Sequence, residues 1–189
     1  MQTEVLKTTD PKEKPKKNMR AEILDWVKTL AIAMAIALVL RTFVFTLIRV
    51  DGTSMLETLQ NNDILFATRF DRFFDSYERG DIVICNYPNV KGYRVKRVVG
   101  LPGDTIEVRD GVTYLNGEAL DEPFVTYPAR SNYGPYTVQD GEYFLMGDNR
   151  AVSKDSRSAD VGAIDKGEIA GKVRIILFPF SHAGSPYQD

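Results

Sequence analysis

Apolar and polar positions change rhythm sharply along this chain. Residues 29–48, TLAIAMAIALVLRTFVFTLI, form one greasy run in which residues 31–40 leave no polar face. Wound as a helix at about 1.5 Å per residue, a run of that length reaches roughly 30 Å, the thickness of a bilayer core. Past residue 50 the rhythm shortens. DILFATRF (63–70), GDIVICNY (80–87) and YRVKRVV (93–99) are brief stretches rich in β-branched and aromatic residues, the mark of strands. Asp110-Gly111 and Asn116-Gly117 follow in TIEVRDGVTYLNGEAL, supplying the positive φ angles that tight hairpins need. QDGEYFLMGDN and GKVRIILFPF add further strands, and past the greasy run no helical period lasts beyond two turns. The pattern predicts a mainly β, antiparallel domain over 49–189 carried by one N-terminal helix.

Three readings of the greasy run compete. A buried core helix would carry a polar side, which this one lacks. A cleavable leader would end in small residues, whereas this run continues into TFVFTLIRV with no A-x-A site. A permanent anchor over 29–48 fits best. Only Arg41 interrupts it, near enough to the far edge to snorkel to the interface. Residues 1–28 hold seven Lys/Arg against five acids, and residues 49–189 hold 16 against 21. By the positive-inside rule the first segment is a cytoplasmic tail, with PKEKPKKN as a solvated stretch. The anchor then makes a single pass through the cell membrane, and the β domain lies outside it.

Composition narrows the chemistry. The chain has 189 residues, a net charge of −2, one Cys and one His. No basic excess points to nucleic acid. One thiol closes no intrachain disulfide, and one Cys with one His makes no soft-ligand zinc site, so neither metal nor cofactor is expected. A Ser-His-Asp triad would have to use His182, seven residues from the C-terminus. Cys85, within DIVIC, reads as a small buried hydrophobe.

Three stretches carry candidate chemistry, each with a plainer account beside it. VDGTSMLETL (50–59) places Ser54 and Met55 directly after the anchor, where a simple polar turn would also serve. YRVKRVVGLPGD (93–104) sets Lys96 among valines on a strand, where an edge lysine pointing to water is the ordinary reading. GDNRAVSKDSR (147–157) is dense in Asx-turn formers and would pass for a solvated loop.

Taken together and in this order, the Ser54-Met55 box, RGDIV at 79–83, KRVVGLPGD at 96–104 and GDNR..S.DSR at 147–157 resemble bacterial type I signal peptidases, in the compact form of Gram-positive bacteria. The resemblance spans nearly the whole chain. It implies an antiparallel, barrel-like β-sheet fold with one transmembrane helix. It also implies a serine endopeptidase that removes signal peptides bearing small residues at −1 and −3 from secretory precursors. It puts the nucleophile on Ser54 and the general base on Lys96. A lysine-orienting hydroxyl falls on Ser153, and structural roles fall on Met55, Asp148, Arg150, Asp155 and Arg157. Two departures stand out. Glu57 occupies the place of the family's usual Pro, and Gly52 stands where some members have an oxyanion-hole hydroxyl. The oxyanion would then rely on backbone N–H groups, chiefly that of Ser54.

The chemistry makes a demand on the lysine. In water its amine titrates at about 10.4, so roughly one in 2,500 is neutral at pH 7. A useful base needs that value depressed, and burial among Val95, Val98, Val99 and Met55 would do it. Arg97 would add an electrostatic push, unless strand alternation turns it to the other face. An extended precursor would offer alternate side chains to shallow pockets between the strand leading to Ser54 and the strand of Lys96. Phe43 and Phe45 are candidates for contact with membrane lipid. Two other classes are weighed. A self-cleaving Ser-Lys repressor domain fits poorly with an anchor and no DNA-binding helix pair, and a non-catalytic anchored scaffold leaves all three boxes unexplained.

Overall fold

The computed structural model describes residues 19–73, 77–88 and 90–187. The predicted basic tail lies outside the described residues up to residue 18. Helix α1, Met19–Val39, is built from Ala, Leu, Ile and Met, strong or adequate helix formers. Its described side chains are exposed along its whole length, as a lipid-facing helix requires. Residues Glu22–Val44 form a stretch long and apolar enough to cross a membrane.

The greasy run does not stay helical to its end. A single π-helical turn, Leu40–Val44, leads into strand β1, Phe45–Arg49. These five residues pair antiparallel with β2, Ile64–Thr68, from Phe45↔Thr68 to Arg49↔Ile64. Inter-strand hydrogen bonds and the Phe45–Phe66 ring contact, 5.6 Å between centroids, hold residues that composition alone assigned to the anchor.

The remaining strands are β3 (Ile82–Tyr87), β4 (Val90–Gly100), β5 (Thr105–Arg109), β6 (Val112–Leu115), β7 (Glu118–Ala119), β8 (Tyr133–Thr137), β9 (Glu142–Met146), β10 (Ile164–Asp165) and β11 (Ile169–Phe178). They form a seven-stranded sheet ordered β1-β2-β11-β3-β4-β9-β10 and a four-stranded sheet ordered β7-β6-β5-β8. Every strand pairing in both is antiparallel, as the sequence pattern predicts. The two predicted hairpin turns join β5 to β6 and β6 to β7, with Asp110, Gly111, Asn116 and Gly117 all at positive φ.

Strand β4 decides where the chemistry sits. It pairs with β3 through Val83↔Lys96 and Cys85↔Arg94, and with β9 through Arg97↔Met146 and Val98↔Leu145. Alternation therefore sends Arg94, Lys96 and Val98 to one face and Val95, Arg97 and Val99 to the other. The first face meets a core of Val83, Cys85, Tyr87, Val98 and Leu145. A second core gathers Val50, Met55, Leu59, Ile82 and Ile84, with Val95 against it. Lys96 lies along the first of these and is only 2% exposed.

Candidate active site

Ser54 lies in the loop between β1 and β2, which is pinned at both ends. Val50 N–H donates to the Asp63 carbonyl at 2.8 Å, and Leu59 N–H to the Met55 carbonyl at 2.8 Å. Met55 is sunk into the core next to Ser54, so its side chain fixes the loop while the hydroxyl stays half-exposed. The Leu56–Glu57 peptide is cis, and the Glu57 carboxylate accepts a hydrogen bond from the Tyr127 hydroxyl at 2.9 Å.

Lys96 Nζ donates to Ser54 Oγ at 2.6 Å and to the Val95 carbonyl at 3.0 Å. Two residues 42 apart in sequence thus share one short hydrogen bond. Burial is the dominant influence on the amine and pushes its pKa below the ordinary lysine range. Asp155 and Asp148 oppose that shift, and Arg94 reinforces it. Cys85 itself is fully buried, and burial raises its thiol to about 12, so it contributes bulk rather than thiolate chemistry.

The loop after β9 closes round the serine. Asn149 N–H donates to the Ser54 carbonyl at 3.1 Å. Gly147 lies so close that a Cβ there would overlap both the main-chain carbonyl oxygen of Ser54 and the Ser153 side chain. Gly147 N–H donates to Asp155 at 3.0 Å, and Arg157 clasps the same carboxylate through Nε and Nη2, each at 2.8 Å. Burial alone would raise the Asp155 pKa. The Arg157 guanidinium and the Gly147 N–H outweigh it and hold the carboxyl below its usual range. Arg150 donates to the Gly147 carbonyl at 3.0 Å, to Thr113 and to Glu122, tying this loop to the second sheet. Asp148 takes two hydrogen bonds from Arg97 and one from Thr58 at 2.6 Å. Asp148, Arg150, Asp155 and Arg157 thus all serve as struts.

Two expected oxyanion or orienting residues are placed differently. Ser153 is near the site, packed on Gly147, but its buried hydroxyl makes no hydrogen bond to Lys96. It influences the Asp155 carboxyl without meeting hydrogen-bond geometry with it. The amine is held instead by Ser54 and the Val95 carbonyl. Gly52 N–H is committed to Asn61 Oδ1 at 2.9 Å, which removes it as a free donor. Ser54 N–H has no acceptor among the described residues. Arg97, considered as a repelling neighbour, is turned to the far face and neutralised by Asp148. The cation on the lysine's own face is Arg94, a residue that period-two alternation from Lys96 would have identified. His182 is engaged with Asp63, Nδ1 to Oδ2 at 2.9 Å.

Two cavities open on the pair. One, of about 230 Å³, is lined by Ile48, Met55, Tyr93 and Val95. The other, of about 310 Å³, is lined by Gly52, Tyr87, Val90 and Val152. Ser54, Lys96, Arg94 and Asp51 border both.

The model of the family "Signal peptidase, peptidase S26" matches residues 23–178. Signal peptidase I of Bacillus licheniformis is 38% identical over 183 residues, 92% of this chain and 96% of that protein. Signal peptidase IB of Staphylococcus aureus (strain COL) is 33% identical over 181 residues, 86% of this chain and 93% of that protein. A crystal structure of a signal peptidase I from Enterococcus faecalis V583 aligns with a TM-score of 0.44 at 32% identity, covering 51% of this chain and 96% of that one. With most of its length matched by the family model and by curated relatives, this chain belongs to the signal peptidase family, peptidase S26.

Proposed function

We propose that this protein is a membrane-anchored serine endopeptidase that cleaves signal peptides from secretory precursors, with Ser54 as nucleophile and Lys96 as general base. The observation that carries the assignment is the 2.6 Å contact between a half-exposed hydroxyl and an amine 2% exposed to water. Such burial disfavours the ammonium form, and a neutral amine at that distance is placed to take the hydroxyl proton.

In this reading the contact between the two side chains supports the following reaction. Ser54 Oγ attacks the scissile carbonyl carbon as its proton passes to Lys96 Nζ. The negative charge that develops on the carbonyl oxygen is met by the Ser54 N–H, which has no competing acceptor among the described residues. Lys96 returns the proton to the departing amine, leaving the precursor's signal peptide esterified to Ser54. Water then enters, Lys96 removes its proton, and the ester is hydrolysed. The Val95 carbonyl keeps the amine aimed throughout, and Asp155 with Arg157 holds the loop that seats the Ser54 carbonyl.

The two small cavities beside Ser54 support a preference for small side chains at −1 and −3, since an extended peptide sends alternate side chains the same way. The basic composition ahead of the apolar helix supports a cytoplasmic N-terminus, one pass and an outward catalytic domain. Incubating detergent-solubilised protein with a precursor and reading the new N-terminus by mass tests the function. Ser54→Ala and Lys96→Ala should both abolish the cut, and full activity in Lys96→Ala would remove the base assignment.

A further inference from the structure

Strand β4 puts a second cation beside the lysine. Arg94 is two residues before Lys96, so both side chains leave the same face of the strand. Both border each of the two cavities that open on Ser54. Arg94 is half-buried, and among the described residues its side chain donates hydrogen bonds only to the main-chain carbonyls of Gly92 and Tyr93, the two residues before it. Arg97 is matched by Asp148, Arg157 by Asp155 and Lys154 by Asp160, while Arg49, on the wall of the first cavity, is held by the neutral Asn62 amide and leaves from another strand. Arg94 has no carboxylate partner among the described residues.

Resting on the Ser54–Lys96 reading above, we propose that Arg94 is a positioning residue whose unmatched charge keeps the neighbouring Lys96 amine neutral and therefore able to act as a base. Desolvation is the larger influence, and the guanidinium adds to it in the same direction. The surroundings explain why a second influence is useful. From the loop after β9, Asp155 and Asp148 favour the charged amine, whereas from β3 Cys85 faces it as an uncharged thiol. Asp51, an exposed carboxylate, also lines both cavities. Tyr87 and Lys154 border the second cavity, and Arg49 and Tyr93 the first. Burial raises the Tyr87 hydroxyl well above its usual range, which leaves it uncharged. Asp155 and Asp148 pull toward the ammonium, and Arg94 is the cation without a carboxylate partner on the lysine's face of the strand that pushes back.

The test is the pH profile of kcat/KM for precursor cleavage by the detergent-solubilised full chain. Removing the charge in Arg94→Gln should move the acidic limb to higher pH by about half a unit or more, whatever the height of the plateau. Arg94→Lys, which keeps a cation, should return the limb toward its original position. A direct titration of the Lys96 side chain by 13C NMR, with Ser54→Ala as background, should show the same displacement independently of turnover. An unmoved limb and an unmoved Lys96 titration in Arg94→Gln would overturn the proposal, as would equal losses at every pH in both Arg94 variants. Lys96→Ala separates the two levels. If it stays active the dyad reading fails, whereas an inactive Lys96→Ala beside an unshifted Arg94→Gln removes only the role of Arg94.

Discussion

Arg97 and Asp148 face each other as a two-pronged ion pair, Nε to Oδ1 at 2.9 Å and Nη2 to Oδ2 at 2.7 Å, with side chains 5% and 0% exposed. Arg97 also lies over the Phe124 ring, 3.9 Å from its centroid, and Asp148 receives the Thr58 hydroxyl. The pair thus connects the strand of Lys96, the loop of Ser54 and the loop after β9.

Asp148→Ala leaves that guanidinium buried without a counter-charge and strips Thr58 of its acceptor. Removing one partner of a buried pair costs about 3–5 kcal/mol. Urea denaturation of the solubilised protein should show a loss of that order. A loss below about 1 kcal/mol would mean that water reaches Arg97 in the variant.

The depressed Lys96 pKa fixes the sign of the pH response. The amine is neutral above its folded pKa and charged below it, so cleavage should fall as pH drops through a limb lying below the ordinary lysine value of about 10.4. A plot of kcat/KM against pH reads the limb directly. A limb at the solution lysine value would contradict the burial seen here.

Stability should move the opposite way from activity in Lys96→Met. Between the folded and unfolded pKa of Lys96 the unfolded chain binds the extra proton, so the native protein is penalised there and gains stability as pH rises. An apolar side chain of similar length removes that penalty. Lys96→Met should therefore melt higher than the parent at about pH 7, with the difference shrinking toward about pH 10, while being inactive.

Gly147→Ala tests the seating of Ser54. The added methyl has to displace both the Ser54 carbonyl and the Ser153 side chain. Overpacking of this kind costs about 1–3 kcal/mol. A shift of the nucleophile by even a fraction of its distance to the base should cut kcat by about 10- to 100-fold. Parent-like kcat in this variant would show that the loop yields without moving Ser54.

Much of this architecture could be read in advance, for local reasons. Asp-Gly and Asn-Gly dictate hairpins by their own backbone preferences, and β2, β3, β4, β9 and β11 carry β-branched or aromatic runs bounded by turn residues. Strand β1 was hidden because Phe45–Ile48 continues an apolar run without a break, and periodicity cannot tell a buried strand from the end of a membrane helix. Only its pairing with β2 decides the matter. Strand β8 contains Gly134 and Pro135, which weaken any strand signal. At the site, Ser54 and Lys96 stood out by their surroundings, but the uses of the Gly52 N–H and the Ser153 hydroxyl depend on neighbours brought in by folding, Asn61 and Gly147.

The hydrogen bond from Asn149 to the Ser54 carbonyl joins segments almost a hundred positions apart, and the base arrives from a third segment between them. No early stretch of the polypeptide holds a working fragment of the machinery. A chain that has not yet folded carries an ordinary alcohol and a solvated lysine. On the proposed assignment, the cutting centre therefore exists only once the sheets have closed, because its parts are delivered by three separate stretches of chain.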